Sequence, residues 1–105
     1  MWMLRVADDS LPERMFRIVP GSARTIGRAT GADFILEAPL VSRVHCRVTA
    51  QSNGDLEVLD IESTNGTFVN GERVETAPLQ EGDRLKVGRV ELIVVREAAD
   101  TASGQ

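Results

Sequence analysis

The chain reads as all-β, a sandwich or barrel of many short strands, and three observations point there. Apolar residues recur with a period of two in run after run. No stretch sustains the period of an amphipathic helix. Turn residues interrupt the chain every few positions. Short alternating strands with frequent turns bury their apolar faces by packing one sheet on another. With 105 residues and a hydrophobic fraction of 42%, the chain can build one core but not two.

The elements follow in order. Trp2, Leu4 and Val6 alternate with Met3 and Arg5, the pattern of a strand with one buried face. Asp8-Asp9-Ser10-Leu11-Pro12 is turn composition. Arg14, Phe16 and Ile18 alternate with Met15, Arg17 and Val19 until Pro20-Gly21 ends the run. Arg24 to Gly27 makes a short third strand, and Phe34-Ile35-Leu36 a fourth, stopped by Pro39. In Cys46 to Ala50, Cys46, Val48 and Ala50 share a face, so Cys46 reads as a small core residue rather than a reactive thiol. Asn53-Gly54 is a hairpin turn, and Leu56 to Ile61 is the strand after it. Glu72-Arg73-Val74 makes a brief pairing segment. Leu85-Lys86-Val87-Gly88 and Val90 to Val95 form a closing hairpin that turns near Gly88-Arg89. From Glu97 to Gln105 the chain is small and polar, which predicts a disordered tail or the start of a linker, with the domain spanning 1–96.

The most informative stretch is Ser63-Thr64-Asn65-Gly66-Thr67-Phe68-Val69-Asn70-Gly71. Asn-Gly favours positive φ, so each of its two Asn-Gly pairs predicts a tight turn, with a very short strand between them. So short a strand adds little to a core. Its value lies in holding Ser63 to Gly66 at the rim of the β-structure, where hydroxyls, an amide and backbone N–H groups face an anionic or peptide ligand.

Composition excludes several classes. The formal net charge of −4 argues against nucleic acid, whose binding draws on a basic surface. No apolar run approaches the ~18–20 residues that span a bilayer. The start, Met1-Trp2-Met3-Leu4-Arg5, is neither a signal nor a transit peptide, so a reducing cytoplasm is the expected location. Met1 directly before the first strand predicts a native N-terminus, with any further domain downstream. The single cysteine leaves no intrachain disulfide and no metal-ligand cluster, and no cofactor motif is present. Lys86 is the sole lysine, so an anion site here would use arginine forks, which suit phosphate oxygens.

Three segments taken together, Gly27-Arg28, Ser42-Arg43-Val44-His45, and Ser63 to Thr67 with Val69-Asn70-Gly71, resemble the forkhead-associated (FHA) domain. The resemblance runs from Trp2 to Val95. It implies a β-sandwich of about eleven strands in two twisted sheets, whose loops at one end bind phosphothreonine peptides. The residues by themselves account for ten of those strands. Carried over by position, Arg28 holds the phosphate, Ser42 donates to a phosphate oxygen, and Arg43 reaches the phosphate or the peptide backbone. Thr64 contacts the ligand near the phosphothreonine, and Asn65 binds peptide backbone. Gly27, His45 and Gly66 are architectural, with His45 bracing the loops that carry Ser42 and Asn65. Glu62 departs from the family's small or apolar residue and disfavours acidic peptides near this loop.

Elementary chemistry agrees with the resemblance. Phosphothreonine carries about −1.5 to −2 charges at pH 7 and three strong acceptor oxygens. Two arginines, a hydroxyl and loop N–H groups answer it with charge-assisted donors. Ser42 and His45 could suggest a hydrolase pair, but Ser42 lacks the strand–elbow–helix context, and no nucleotide-binding glycine loop is present. The expectation is therefore a phosphothreonine-dependent binding module in Ser/Thr-kinase signalling, with no enzymatic activity. Its partner would be a phosphorylated protein or peptide, a kinase or a kinase substrate. The rival is an FHA-fold interaction or regulatory domain that works without phosphate. Ala38, Leu40 and Val41, with Asn70 and Gly71, are expected to line the region beyond the phosphothreonine. Thr67 is expected to stabilise its turn.

Overall fold

Eleven strands form, and their register explains which residues reach the core. The computed structural model describes residues 1–9 and 11–97. Ser10 and the tail after Glu97, where a disordered or linker segment was expected, lie outside the described residues. The strands are β1 (Trp2–Val6), β2 (Met15–Ile18), β3 (Ala23–Gly27), β4 (Phe34–Ile35), β5 (Cys46–Ala50), β6 (Leu56–Asp60), β7 (Thr67–Val69), β8 (Glu72–Val74), β9 (Thr76–Leu79), β10 (Arg84–Val87) and β11 (Val90–Arg96). A six-stranded sheet has the order β2-β1-β11-β10-β7-β8, and a five-stranded sheet the order β4-β3-β5-β6-β9. Among the described residues no helix is long and apolar enough to cross a membrane.

The period-two pattern places one face of each sheet inward. Leu4, Ile18, Leu85 and Leu92 from the larger sheet meet Ile26, Val48, Leu56 and Val58 from the smaller one, all at 0–1% exposure. Each such aliphatic contributes ~1.5–3 kcal/mol by burial, which makes this interface the main source of stability. At one flank Phe16 of β2 stacks on Phe34 of β4, with ring centroids 4.5 Å apart, tying the two sheets together.

Two expectations need correction. Thr76–Leu79 is a strand that the residues did not announce, because Pro78 disguises it; β9 is an edge strand, where a missing N–H is tolerated. Met3, expected on the solvent side of its strand, is only 8% exposed. It lies on the outer face of the six-stranded sheet between Arg17 and Val95, whose side chains shelter it.

β3 and β4 are the only parallel neighbours among the described strands, and just six residues separate them. The loop can double back so tightly because Asp33 accepts from the Thr25 N–H (2.9 Å) and its own N–H donates to Thr25 Oγ1 (3.0 Å). This bend puts Arg28 at the end of the sandwich where the β4–β5 and β6–β7 connections also emerge.

Candidate functional site

Three loops converge at that end: 28–33, 36–45 and 61–66. The first two are fused through backbone. Arg28 N–H donates to the Ser42 carbonyl (2.9 Å) and Ala29 N–H to the Arg43 carbonyl (3.1 Å). Gly27 makes this contact possible, since a Cβ there would lie 2.1 Å from the Arg43 carbonyl oxygen. Any side chain at that position would drive the Ser42–Arg43 segment away from Arg28. The Arg28 guanidinium is aimed by its Nε, which donates to the Val41 carbonyl at 3.0 Å. Its two terminal nitrogens have no hydrogen-bond or ion-pair partner among the described residues. Arg43 is likewise exposed and outside any ion pair among them.

The third loop is clasped to the second by side chains. Thr64 N–H donates to Ser42 Oγ (3.1 Å), so that hydroxyl acts as an acceptor and still holds its own proton for another partner. Asn65 Nδ2 donates to the Leu40 carbonyl (3.0 Å). His45, fully buried, latches both loops: Ser42 N–H donates to its Nδ1 (3.0 Å), and its Nε2 lies 2.8 Å from the Gly66 carbonyl. A backbone N–H can only donate, so Nδ1 is the unprotonated nitrogen and Nε2–H is the donor to Gly66. Burial holds the imidazole below its ordinary 6.5, against the opposing pull of the Gly66 carbonyl and the Asp60 carboxylate. His45 is a neutral latch.

Asp60 is the residue that sequence reasoning missed. At the end of β6, its carboxylate accepts from Ser63 Oγ (2.5 Å), Thr67 Oγ1 (2.6 Å) and Ser63 N–H (3.2 Å). Ser63 Oγ in turn accepts from Gly66 N–H at 3.0 Å. Burial pushes the Asp60 carboxyl up, but the Ser63 and Thr67 donors outweigh it and leave the group below its ordinary value of 3.8. A signal was present: an Asp with Ser three residues on is a turn-forming pair. Thr67 thus spends its hydroxyl inside the loop, in keeping with a turn-stabilising role. Val41, expected to line the peptide-facing surface, is a core residue at 1% exposure; it serves the site through its carbonyl, while Leu40 remains exposed. Asn70 and Gly71 sit at the β7–β8 turn, with the Asn70 amide engaged by Asp83 and Arg84 rather than by these loops.

This geometry can hold an oxyanion but cannot attack with a nucleophile. Both ring nitrogens of His45 are committed, and it touches the backbone of Ser42 rather than the hydroxyl. The Cys46 thiol, 0% exposed, is pushed up to about 12, first by burial and then by the nearby Asp60 carboxylate, so it is inert.

Comparison with known proteins gives the family. The FHA domain profile matches residues 24–88. The ABC transporter ATP-binding/permease protein Rv1747 of Mycobacterium tuberculosis is 39% identical over 82 residues, 78% of this chain and 9% of that protein. The glycogen accumulation regulator GarA of Mycolicibacterium smegmatis is 35% identical over 78 residues, 74% of this chain and 49% of that protein. The chain therefore spans at most about half the length of these two relatives. A solved structure from a structural and functional analysis of phosphothreonine-dependent FHA domain interactions matches with a TM-score of 0.79 and 31% identity, over 91% of this chain and 96% of that one. The fold, the profile and these relatives agree, and the chain belongs to the FHA domain family.

Proposed function

We propose that this domain binds phosphothreonine peptides of a protein partner in Ser/Thr-kinase signalling, either a kinase or one of its substrates, in the cytoplasm and without catalysing a reaction. The observation that carries the proposal is the convergence of uncommitted donors on one rim. The terminal nitrogens of Arg28, the Arg43 guanidinium and the Ser42 hydroxyl proton share a loop framework already braced by His45 and Asp60. Because those braces are internal, little ordering cost remains for the ligand to meet. Arg28 grips the phosphate, Ser42 and Arg43 complete its shell, and Thr64 borders the threonine. Asn65 turns its amide to the peptide backbone beside Leu40. Gly27, His45 and Gly66 keep the loops at that spacing. Likeness to phosphothreonine-dependent FHA structures and to a regulator such as GarA supports the same reading.

Calorimetric titration of one peptide in phosphothreonine, phosphoserine and unphosphorylated forms tests it. Binding should require phosphate, and the threonine methyl should add about fourfold over phosphoserine by simple burial. Arg28→Ala should reduce affinity by at least about tenfold with only a small drop in the thermal melt, since it removes at least one charge-assisted bond to the ligand worth ~1.5–3 kcal/mol and, from the fold, only its Nε bond to the Val41 carbonyl. An Arg28→Ala variant that binds like the wild type would put the phosphate elsewhere.

A further inference from the structure

The outer face of the six-stranded sheet carries an uneven charge. Its register forms three rows that lead away from the candidate site. The nearest is Arg73–Phe68–Lys86–Glu91, the next Arg84–Ile93–Arg5–Met15, and the farthest Val95–Met3–Arg17. Five cations thus share this face with one carboxylate, in a chain whose formal charge is −4. Glu91 is taken by Arg84 at 3.2 Å. Arg5, Arg17, Arg73 and Lys86 are exposed and in no ion pair among the described residues, and the Lys86 ammonium lies 5.9 Å from the centre of the Phe68 ring. The acidic β1–β2 connection, with Asp8, Asp9 and Glu13 around a cleft shared with Arg5, bounds the patch at one corner. On the smaller sheet the corresponding outer rows, Thr25–Arg47–Leu59–Thr76 and Ala23–Thr49–Glu57–Pro78, hold one cation and one acid.

The patch adjoins the candidate site. A Cβ on Gly66 would lie 2.9 Å from Arg73 Nε and 3.1 Å from Phe68 Cε1, so the first row packs directly under the 61–66 loop. We propose that this sheet face is a second docking surface, for an acidic segment of the same partner that presents the phosphothreonine. This rests on the phosphopeptide reading for the partner's identity, but not for the surface itself. An acidic protein segment fits better than a lipid surface because Met3, Phe68, Ile93 and Val95 are buried or half-buried and Met15 is the one exposed apolar side chain in these rows, leaving little to insert into a bilayer. Guanidinium forks match side-chain carboxylates in pairs. The overall acidity of the chain disfavours nucleic acid.

The test uses an octapeptide of alternating Glu and Leu, the same peptide with Gln for Glu, and a phosphothreonine peptide with and without the acidic segment fused to it. In NMR titrations the acidic octapeptide, and not its Gln counterpart, should shift Phe68, Arg73, Lys86 and Ile93. In calorimetry at low salt the fused segment should raise the wild-type affinity about three- to tenfold, and added salt should erase the gain. Arg5→Glu/Lys86→Glu and the milder Arg5→Gln/Lys86→Gln should both lose that gain while binding the short phosphothreonine peptide like the wild type. A gain that persists in both double variants, a wild type with no gain, or shifts elsewhere would overturn the docking surface. So would binding to phosphatidylglycerol vesicles without binding to the acidic peptide. If no phosphothreonine peptide binds but the acidic octapeptide still shifts this face in a charge-dependent way, the docking surface stands and the phosphothreonine reading falls.

Discussion

At Asn70-Gly71 both residues take positive φ, 51° and 88°, and the chain folds back on itself between β7 and β8. At Asn65-Gly66 only the glycine does, at 94°, and the chain does not fold back but crosses from the five-stranded sheet to the six-stranded one. The same dipeptide therefore makes a hairpin in one place and ends an inter-sheet connection in the other. Their amides differ too. Asn70 is tied into the β9–β10 connection, donating to Asp83 (3.1 Å) and accepting from Arg84 N–H (2.9 Å). Asn65 reaches 25 residues back to the Leu40 carbonyl and keeps its side-chain oxygen unengaged among the described residues. One amide is consumed by the fold. The other is left half open at the rim.

That contrast can be broken most severely through His45, which supports one region and not the other. His45→Ala would leave Ser42 N–H unpaired and the Gly66 carbonyl with only its long bond from Gly88 N–H (3.4 Å), beside a buried cavity, and should cost about 3–5 kcal/mol in chemical denaturation. Phosphopeptide affinity should fall in parallel. A loss under ~1 kcal/mol would mean that the latch is not what holds the loops.

The next largest effect separates the two glycines. Gly66→Ala meets both an unfavourable φ and the Arg73 and Phe68 side chains, whereas Gly71→Ala meets the same φ with nothing within 4 Å. The hairpin variant should lose only the backbone cost, ~1–2 kcal/mol, and bind peptide normally. Gly66→Ala should lose about 1–2 kcal/mol more and bind poorly, because the loop has to move. Equal melts for the two variants would erase the distinction.

The asparagines should then show opposite behaviour. Asn65→Ala should weaken phosphopeptide binding about tenfold with little change in the melt, having lost one exposed hydrogen bond and the ligand's amide partner. Asn70→Ala should keep its affinity and lose about 1 kcal/mol of stability, since it drops two bonds within the fold. Paired melts and titrations on the two variants read this directly.

The smallest effect is in pH. His45 binds protons less readily when folded than at its ordinary 6.5, so below that value the unfolded chain takes up the proton first. Stability should be complete above ~6.5 and decline as pH falls toward the depressed folded value, by a slope of at most one proton. Asp60 is shifted in the same direction, but from 3.8, so its loss begins only in stronger acid. Denaturation of the ligand-free domain between pH 7.5 and 5 isolates His45 from the ligand's own phosphate ionisation near 6. A slope that survives in His45→Gln would assign the effect to another group.

Strand positions and core faces were legible because both depend on spacing along the chain. Alternation placed Leu4, Ile18 and Val48 inward, and Gly88-Arg89 turned where expected. The strand at Thr76–Leu79 was hidden by Pro78, whose cost vanishes only at a sheet edge, and no residue pattern says which strand is an edge. Motif order was enough to name the family and to nominate Arg28, Ser42, Arg43, Thr64 and Asn65, whose ligand roles await the titrations above.

What sequence alone determined here is local: which segments extend, which face of each is apolar, and where glycine or asparagine permits a turn. Tertiary structure decided everything that joins residues far apart in the chain. Ser42 Oγ meets Thr64 N–H across 22 positions and His45 meets Gly66 across 21. Asp60 became the anchor of the third loop, Val41 went into the core, and one Asn-Gly pair became a hairpin while the other became a rim. Separate strands also brought five cations onto one outer face. The reason is physical. Backbone preference is set by near neighbours, whereas hydrogen-bond partners and surface charge patterns exist only after two sheets have packed and fixed which loops share an end.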